Sequence, residues 1–312
     1  MAFMMEQAAA GGRRAAGTEV AAAYLLLTVA MLSWSGNIVI ARALAGTVPP
    51  LGLSLMRWII AFAVVLPFAF RELIAKRAVI RARWPVLLLL GLLGLTFCNS
   101  LSYVGVQWTT AINGALVNAA GPMLTLAAAF VLDRERATGR QISGILVSLM
   151  GVIVIVLRGD PAALFALSIN PGDVVILIAV ATWSVYTVLL RRRPSELSPV
   201  ALLAVLFAIG SVTLLPLHLV ESALGRPLPM TGPALLGYAY VGLFPAAIAF
   251  FGWNRGVQVI GASRASFFSY LMPLFSAGLA FVFLGEEITR YHLVGAALIF
   301  LGIFLANHRS RT

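Results

Sequence analysis

Charged residues are scarce in this sequence, because Asp, Glu, Lys and Arg together make up 11% of its 312 residues. Soluble domains carry about 25% charged residues. Hydrophobic residues make up 61% of the chain, and a globular core of this length cannot hide that much apolar surface from water. The composition therefore excludes a disordered chain, a secreted disulfide scaffold and a soluble enzyme, and it predicts an integral membrane protein.

Cysteine and lysine are almost absent, with one of each in the chain. A single cysteine, Cys98, excludes an intrachain disulfide, and its apolar surroundings favour a small buried residue. The only lysine, Lys76, lies in a loop, which argues against a retinal protein, since that class needs a lysine inside the membrane.

Long apolar runs divide the chain into ten predicted spans. A bilayer-crossing helix needs about 20 predominantly apolar residues. The fold class predicted from these runs is an all-α integral membrane protein. We place the spans at Val20–Ala45, Leu51–Phe70, Trp84–Val106, Thr109–Leu132, Gln141–Leu157, Val174–Leu190, Val200–Val220, Pro233–Asn254, Ala265–Leu284 and Tyr291–Ala306.

Carboxylates are absent from the middle of every predicted span. An embedded acid is the usual ion-binding group of a proton- or sodium-coupled carrier, so we predict facilitated diffusion or weakly coupled exchange. The spans also hold no nucleophile–base pair and no cluster of metal ligands. We therefore predict no enzyme activity, no catalytic residue, no metal and no cofactor. The eleven carboxylates are Glu6, Glu19, Glu72, Asp133, Glu135, Asp160, Asp173, Glu196, Glu221, Glu286 and Glu287.

Basic residues lie mostly on one side of the predicted spans. If the N-terminus is cytoplasmic, seventeen of the 22 Lys and Arg residues fall in cytoplasmic segments, the excess that orients membrane proteins. The usage of Arg, Ala and Gly favours a GC-rich prokaryote, so we predict a multi-pass protein of the cell inner membrane with both termini cytoplasmic. The predicted segments are a cytoplasmic N-terminal tail (1–19), a first five-helix repeat (20–157), an extracytoplasmic linker (158–173), a second five-helix repeat (174–306) and a cytoplasmic basic tail (307–312).

The two halves of the chain resemble each other. Gly105-Val106-Gln107 recurs 151 residues later as Gly256-Val257-Gln258, and Trp34-Ser35 recurs 149 residues later as Trp183-Ser184. Because each half holds five spans, an odd number, the second copy enters the membrane from the opposite side. This pattern predicts two inverted repeats around a central cavity, as in many secondary transporters that work by alternating access. The offset of 151 also relates Ala111 to Ala262, Pro122 to Pro273, Glu135 to Glu286, Gly144 to Gly295 and Gly151 to Gly302.

Several of these residues resemble the signature of a known family. Pro273-Leu274-Phe275, Phe283-Leu284-Gly285-Glu286, Gly295 and Gly302 are similar to the C-terminal signature of the drug/metabolite transporter (DMT) superfamily, in its ten-helix EamA-type branch. Trp34-Ser35-Gly36-Asn37 is similar to the opening motif of that branch. The resemblance covers residues 20–306, and the chain looks most like the YddG-type exporters of aromatic and other amino acids.

The first copy departs from the family pattern at one inner turn. It reads Leu132-Asp133-Arg134-Glu135 where the second copy has Leu284-Gly285-Glu286. The difference leaves the shape of this turn open and does not affect the predicted fold.

Amides, hydroxyls and aromatic rings are the functional groups inside the spans. Such groups are typical of a neutral, aromatic-lined cavity that encloses an apolar side chain and binds a zwitterion, and Trp and Tyr faces also attract ammonium groups. The alternative interpretation is that they join neighbouring helices or anchor span ends, which we favour for Trp253 and Asn254. The predicted substrate-binding residues are Trp34, Asn37, Asn99, Tyr103, Asn118, Trp183, Tyr186, Phe244, Ser269 and Tyr270.

Three prolines and one arginine within spans complete the candidate site. Pro122 and Pro273 occupy equivalent mid-helix places, and together with Pro245 they are predicted hinges, because proline removes a backbone hydrogen bond. Arg57 lies where the EamA-type branch often has an arginine. It either binds a substrate carboxylate or, as we favour, extends outward or packs on a backbone carbonyl.

These features predict a secondary transporter that exports amino acids, including aromatic ones, or similar small metabolites. Two alternatives stay open: efflux of hydrophobic cations or drugs, and a non-transporting receptor or assembly subunit. The expected partners are a small-molecule substrate and the lipid bilayer, without nucleic acid. We expect a monomer, with a dimer as the alternative.

Overall fold

The computed structural model describes residues 2–44, 46–105, 108–109, 111–165, 170–284 and 289–307. At 2–17, 38–39, 41–43, 103, 111–112, 280 and 284 the description covers the backbone alone. The α-helices are α1 (Ala2–Ala43), α2 (Pro50–Ala75), α3 (Arg77–Ala82), α4 (Trp84–Gly91), α5 (Cys98–Gly105), α6 (Ala111–Asn118), α7 (Gly121–Asp133), α8 (Gly139–Val156), α9 (Pro171–Leu189), α10 (Pro199–Ala223), α11 (Gly232–Val241), α12 (Ala249–Ile260), α13 (Ala262–Ser266), α14 (Leu271–Leu284) and α15 (Arg290–Asn307).

Shorter helical segments join several of these helices, and the described residues contain no β-strand. Two π-helical segments, Leu92–Phe97 and Gly242–Ile248, continue α4 into α5 and α11 into α12. Three 3₁₀ segments, Pro161–Leu164, Leu190–Arg192 and Phe267–Tyr270, tighten the chain at or near helix ends.

Ten stretches of the described helices are long and apolar enough to cross a membrane, which confirms the all-α membrane fold with ten spans. They are Thr18–Asn37, Pro50–Ala75, Trp84–Ser102, Asn113–Asp133, Gly139–Val156, Pro171–Arg192, Pro199–Ala223, Gly232–Ile260, Ala262–Phe283 and Arg290–Asn307.

Two helix ends differ from the sequence prediction. The eighth span continues to Ile260 instead of ending at Asn254, because the apolar residues Val257, Val259 and Ile260 extend the helix beyond two polar positions. The first helix begins at Ala2, within the segment 1–19 that was predicted as a tail.

Polar caps mark where several spans begin. The side chain of Asn170 accepts from the Asp173 amide, the Asp173 side chain accepts from the Asn170 amide, and Pro171 occupies the first turn of α9. Thr138 and Gln141 form the same reciprocal arrangement at the start of α8. These capping boxes satisfy amide groups that have no partner within the helix.

The inner turn that departs from the family pattern has a defined shape in the first copy. Arg134 follows α7 with a φ of 57°, in the left-handed region, and so reverses the chain directly after Asp133. The corresponding turn of the second copy, residues 285–288, lies outside the described residues.

Helices α8 and α15 pack closely because glycines face backbone across their contact. A Cβ on Gly144 would lie 2.6 Å from the Gly302 carbonyl oxygen, and a Cβ on Gly151 would lie 2.6 Å from the Gly295 carbonyl oxygen. The residue numbers of the contacting glycines rise along α8 and fall along α15, so the two helices are antiparallel. Between the two glycine contacts, Ser148 Oγ donates to the Ile299 carbonyl at 3.3 Å.

Helices α2 and α10 are also antiparallel, and each carries a glutamate that caps the other. Near the end of α10, Glu221 accepts from the amides of Leu51 (3.2 Å) and Gly52 (2.9 Å) at the start of α2. Near the end of α2, Glu72 accepts from the Ser198 amide (2.8 Å) at the start of α10, and Ser198 Oγ donates to its second oxygen. A carboxylate at a helix N-terminus satisfies free amides and complements the helix dipole.

The glycine contact between α8 and α15 generates a stability prediction. Gly144→Ala should lower the free energy of unfolding by about 1–3 kcal/mol, the usual cost of overpacking, because the added methyl group meets backbone that cannot rotate away. The measurement is thermal or denaturant unfolding of the purified protein in detergent.

The matched control for this prediction is Gly278→Ala. Gly278 also lies within a helix, and a Cβ there meets nothing within 4 Å. Equal stability of the two variants would contradict the proposed close approach of the backbones.

Candidate functional site

Seven aromatic side chains of the described residues form one connected cluster inside the helix bundle, which we call the aromatic core. Phe250 lies at its centre, with ring centroids 5.1 Å from Trp58, 5.6 Å from Trp183 and 5.9 Å from Trp34. The rings come from α1, α2, α9, α10 and α12, so both halves of the chain contribute. The members are Trp34, Trp58, Trp183, Tyr186, Phe207, Phe250 and Trp253.

Trp34 and Trp183 form the accessible part of the aromatic core. Their rings meet edge to face, with centroids 5.3 Å apart and planes at 86°, a preferred geometry for aromatic pairs. Both side chains are half-buried, whereas the other five members are fully buried. A molecule that reaches this region therefore meets the two tryptophans first.

A π-helical carbonyl holds the edge of the aromatic core. The Pro245 carbonyl oxygen accepts from Trp34 Nε1 at 2.8 Å and from Arg57 Nη2 at 3.0 Å. Arg57 Nη1 also donates to Asn99 Oδ1 at 3.3 Å, and Asn99 Nδ2 donates to the Leu95 carbonyl at 3.0 Å. Side chains thus bond backbone in both π-helical segments, a kind of helix that is frequent at functional sites.

Arg57 is buried instead of extended toward the membrane surface, with 4% of its surface exposed. Its guanidinium lies 4.7 Å from the centroid of the Trp58 ring, a cation–π distance. Of the two interpretations drawn from the sequence, the structure places Arg57 on a backbone carbonyl, at the side of the aromatic core.

Several buried donors around the aromatic core have no acceptor. Within the described part of the chain, the indole nitrogens of Trp58 and Trp253 and the amide nitrogen of Asn254 make no hydrogen bond. Asn254 uses only its oxygen, which accepts from the Tyr186 hydroxyl at 2.8 Å. Unpaired buried donors are costly and rare in native proteins.

Four of the predicted substrate-binding residues belong to this arrangement: Trp34, Trp183 and Tyr186 in the aromatic core and Asn99 at its edge. Asn37 lies three residues from Trp34, and its buried oxygen has no hydrogen bond to another described residue. Tyr270 is buried, and its hydroxyl is likewise unpaired among the described side chains. The side chain of Tyr103 lies outside the described residues.

Other predicted residues lie away from the aromatic core. Asn118 is exposed and donates to the Gly114 carbonyl of its own helix at 2.8 Å. Phe244 is 42% exposed and stacks on Tyr240, with centroids 5.2 Å apart. Ser269 is half-buried in the 3₁₀ segment before α14.

The predicted hinges differ in position from the sequence expectation. Pro122 lies in the first turn of α7, not in mid-helix, because the chain turns at Ala119 and Ala120 before α7 begins. Pro273 likewise lies in the first turn of α14, after a 3₁₀ segment. In a first turn, proline costs the helix no hydrogen bond. Pro245 lies inside a π-helical segment.

The residues that the sequence interpretation missed are Trp58, Phe207, Phe250, Trp253 and Asn254. Trp253 and Asn254 were assigned to a span end, and the longer eighth helix moves them into the bundle. Trp58 and Phe207 are 149 residues apart, the offset that relates Trp34 to Trp183, and they stack with centroids 5.6 Å apart. The shared offset of 149 residues is the sequence signal that identifies Trp58 and Phe207 as partners of the site.

Two carboxylates lie buried near span ends, away from the aromatic core. Asp173 and Glu221 are each 8% exposed. Asp173 accepts from Asn113 Nδ2 (2.9 Å), from the Asn170 amide (3.0 Å) and from the Thr109 hydroxyl. These bonds, like those of Glu221 to α2, hold each carboxylate at a helix start. Among the described residues, no three His, Cys, Asp or Glu side chains are placed to hold a metal ion.

Ion pairs join helix ends from both halves at one end of the bundle, which we call the arginine-rich end. Glu135, after α7, bonds Arg191 at 2.9 Å and accepts from Ser263 at 3.3 Å. Asp133 bonds Arg192 at 3.1 Å. A polar cavity of about 310 Å³ lies beside these residues. The side chains are partly exposed, so each pair contributes about 0–1 kcal/mol.

Ten spanning helices around a half-accessible aromatic core, tied at one end by weak ion pairs, define a multi-pass membrane protein. The sequence profile of the EamA-like transporter family matches residues 21–157 and again residues 170–308, and the chain belongs to this family. This confirms the resemblance to the DMT superfamily. The protein is accordingly a transporter and not an enzyme.

Three proteins of similar sequence carry transporter names. The chain is 27% identical to the uncharacterized transporter YyaM of Bacillus subtilis, over 91% of this chain and 93% of that protein. It is 30% identical to a probable terminal-alkyne amino-acid exporter of Streptantibioticus cattleyicolor, over 83% of this chain and 84% of that protein. It is 24% identical to an S-adenosylmethionine/S-adenosylhomocysteine transporter of Chlamydia trachomatis, over 92% and 89% of the two chains.

A solved crystal structure has the same fold. It matches with a TM-score of 0.75 and 24% sequence identity, over 92% of this chain and 97% of the other.

The contacts of Arg57 generate a prediction about the site's rigidity. Arg57→Lys should lower the free energy of unfolding by about 1.5–3 kcal/mol, the value of a hydrogen bond to a charged group. A single ammonium cannot bond both the Asn99 side chain and the Pro245 carbonyl as the planar guanidinium does. The measurement is unfolding in detergent, with Arg290→Lys at an exposed helix start as the control. If Arg57→Lys loses no more stability than Arg290→Lys, the two hydrogen bonds assigned to Arg57 are wrong.

Proposed function

We propose that the protein exports amino acids, including aromatic ones, or similar small metabolites by alternating access. The observation that carries the proposal is the aromatic core, a ring-lined centre that is accessible at Trp34 and Trp183 and in which the described residues place no carboxylate. The amino-acid exporter of Streptantibioticus cattleyicolor, at 30% identity, supports the substrate class.

The binding mode follows from the chemistry of this centre. An aromatic or aliphatic side chain would pack on the half-buried faces of Trp34 and Trp183, and those faces attract an ammonium group. The unpaired donors of Trp58, Trp253 and Asn254 would bond a substrate carboxylate once the site opens. A zwitterion would thus satisfy donors that have no partner among the described residues.

Alternating access rests on the two repeats, assigned to 20–157 and 174–306, being inverted copies. Three contacts support this relation, because in each of them a residue meets its own counterpart from the other half. Trp34 contacts Trp183, Trp58 contacts Phe207, and Ser148 bonds Ile299. The reciprocal caps of Glu72 and Glu221 also differ by 149 residues. A two-fold axis in the membrane plane produces such self-contacts.

Orientation and coupling complete the proposal. We assign the arginine-rich end, the termini and the segments 1–19 and 307–312 to the cytoplasm of a cell with an inner membrane, since basic residues collect there. The segment 158–173 is then extracytoplasmic. Because the described carboxylates avoid the aromatic core, we assign facilitated diffusion or weakly coupled exchange to the protein.

A flux assay tests the site. Trp34→Ala and Trp183→Ala should each reduce amino-acid export about tenfold or more, since removing one face of the site costs at least ~1.4 kcal/mol. Export is measured from cells loaded with labelled amino acids, with surface expression quantified in parallel. The matched control is Trp108→Ala, a tryptophan that is 59% exposed. Unchanged flux in both variants would refute the site, and preferential inhibition by hydrophobic cations would favour drug efflux.

A proteoliposome assay tests the coupling. With purified protein and an imposed pH gradient, we expect labelled substrate to equilibrate without accumulating. Counterflow driven by unlabelled substrate is the positive control, because it needs only exchange. Uphill accumulation that collapses with a proton ionophore would overturn the assignment.

A further inference from the structure

An apolar groove on the side of the bundle adjoins a short basic helix. The groove encloses about 360 Å³, and among the described residues that line it Thr213 alone is polar. Its walls come from α2, α3 and α4 of the first half and from α10 of the second half. It therefore lies on the seam between the halves, away from the aromatic core.

The length of the groove matches one leaflet of a bilayer. Its residues on α10 run from Ala204 to Thr213, a rise of about 14 Å. The hydrocarbon core of a bilayer is about 30 Å thick, so the groove covers roughly half of it. Ile80 and Trp84 line the end nearer to the arginine-rich end of the bundle.

The deep end of the groove offers nothing to a polar ligand. The hydroxyls of Thr96 and Thr213 bond each other at 2.6 Å, and Thr213 Oγ1 also donates to the Ile209 carbonyl at 2.8 Å. These polar atoms are satisfied, so the end is suited to a hydrocarbon tail.

The shallow end carries three arginines that form no ion pair with a described residue. Arg77, Arg81 and Arg83 are exposed on or directly after α3, and none of the three is in an ion pair with another described residue. The neighbouring Lys76 differs, because it pairs with Glu72 at 3.0 Å. Arg191, Arg192 and Arg255, at the same end of the bundle, are also paired with carboxylates.

Helix geometry brings this charge to the groove. Arg77 lies three residues before Ile80 and so shares its face of α3. Arg83 directly precedes Trp84, whose side chain lines the groove. Trp is enriched at the level of lipid headgroups, so the arginines lie where a phosphate would be.

We propose that this groove and the three arginines bind one anionic phospholipid, with an acyl chain along α10 and the phosphate at Arg77, Arg81 and Arg83. Basic pockets beside membrane helices recognise anionic headgroups. The three arginines can pair with a lipid phosphate because no described carboxylate pairs with them. The bound lipid touches both halves and would therefore respond to their relative movement. The inference is independent of the proposed substrate.

Lipid retention measures the binding directly. Purified full-length protein in mild detergent is titrated with phosphatidylglycerol or phosphatidylcholine, and bound lipid is counted by native mass spectrometry. We expect one retained phosphatidylglycerol and at least tenfold less phosphatidylcholine. Equal retention of the two lipids would overturn the proposal, and so would displacement by millimolar glycerol phosphate, which would indicate a soluble anion.

Two variants separate the headgroup from the tail. Arg77→Gln, Arg81→Gln and Arg83→Gln combined should lower phosphatidylglycerol retention about tenfold, and because the three positions are exposed, folding is not at risk. The control with the same change in net charge combines Arg134→Gln, Arg136→Gln and Arg140→Gln, which are also exposed. An equal loss in the control would mean general electrostatics and would overturn the proposal.

Ala208→Trp, which fills the groove, should lower retention similarly, whereas Ala297→Trp on the exposed face of α15 should not. Unchanged retention in Ala208→Trp would remove the groove from the site. The oligomeric mass of Ala208→Trp is measured by light scattering. A changed mass with phosphatidylglycerol retention intact would assign the groove to a second copy of the chain and would also overturn the proposal.

Discussion

Hydrocarbon offers no hydrogen bonds, so every interruption of a membrane helix must be satisfied by another part of the protein. In this chain two such interruptions are the π-helical segments at the edge of the aromatic core. Side chains bond a carbonyl in each of the two π-helical segments: Asn99, one turn later in the same span, bonds Leu95, and Trp34 and Arg57 from neighbouring helices bond Pro245. Carboxylates satisfy the helix starts at Leu51 and Ser198. The same requirement that stabilises the bundle therefore also fixes the edge of its aromatic centre.

The centre and the arginine-rich end differ in how firmly they hold the two halves together. The aromatic core is largely buried and combines edge-to-face, tilted and stacked ring pairs, and edge-to-face or stacked pairs contribute about 0.5–1.5 kcal/mol each beyond their burial. The ion pairs of Asp133 and Glu135 are partly exposed and individually weak. The alternating access proposed above needs contacts at the ends of the bundle that break in each cycle. The distribution of burial in this protein agrees with that need.

Sequence reasoning reached the fold because the signals of a membrane protein are long and compositional. The ten spans, the family and the equivalence of Trp34 and Trp183 could all be derived from apolar runs and from a match between the halves. The partners of those tryptophans could not, because helical periodicity defines a face without saying which helix it meets. Asn118 and Phe244 have suitable chemistry and lie on other faces, and a predicted eighth span that ends at Asn254 puts Trp253 and Asn254 at a helix end instead of inside the bundle. Whether the predicted residues bind substrate stays a prediction.

The reciprocal caps of Glu72 and Glu221 have a consequence for how the chain is made. The amides of Leu51 and Gly52 donate to the carboxylate of Glu221, which is synthesised about 170 residues later. At ~5–20 residues per second, a ribosome needs roughly 10–30 s to reach it. Throughout that interval the start of α2 is incomplete, and water, headgroups or the insertion machinery must shield it. The start of α2 therefore gains its final hydrogen bonds only after the seventh span has been synthesised, which couples the two halves during biogenesis.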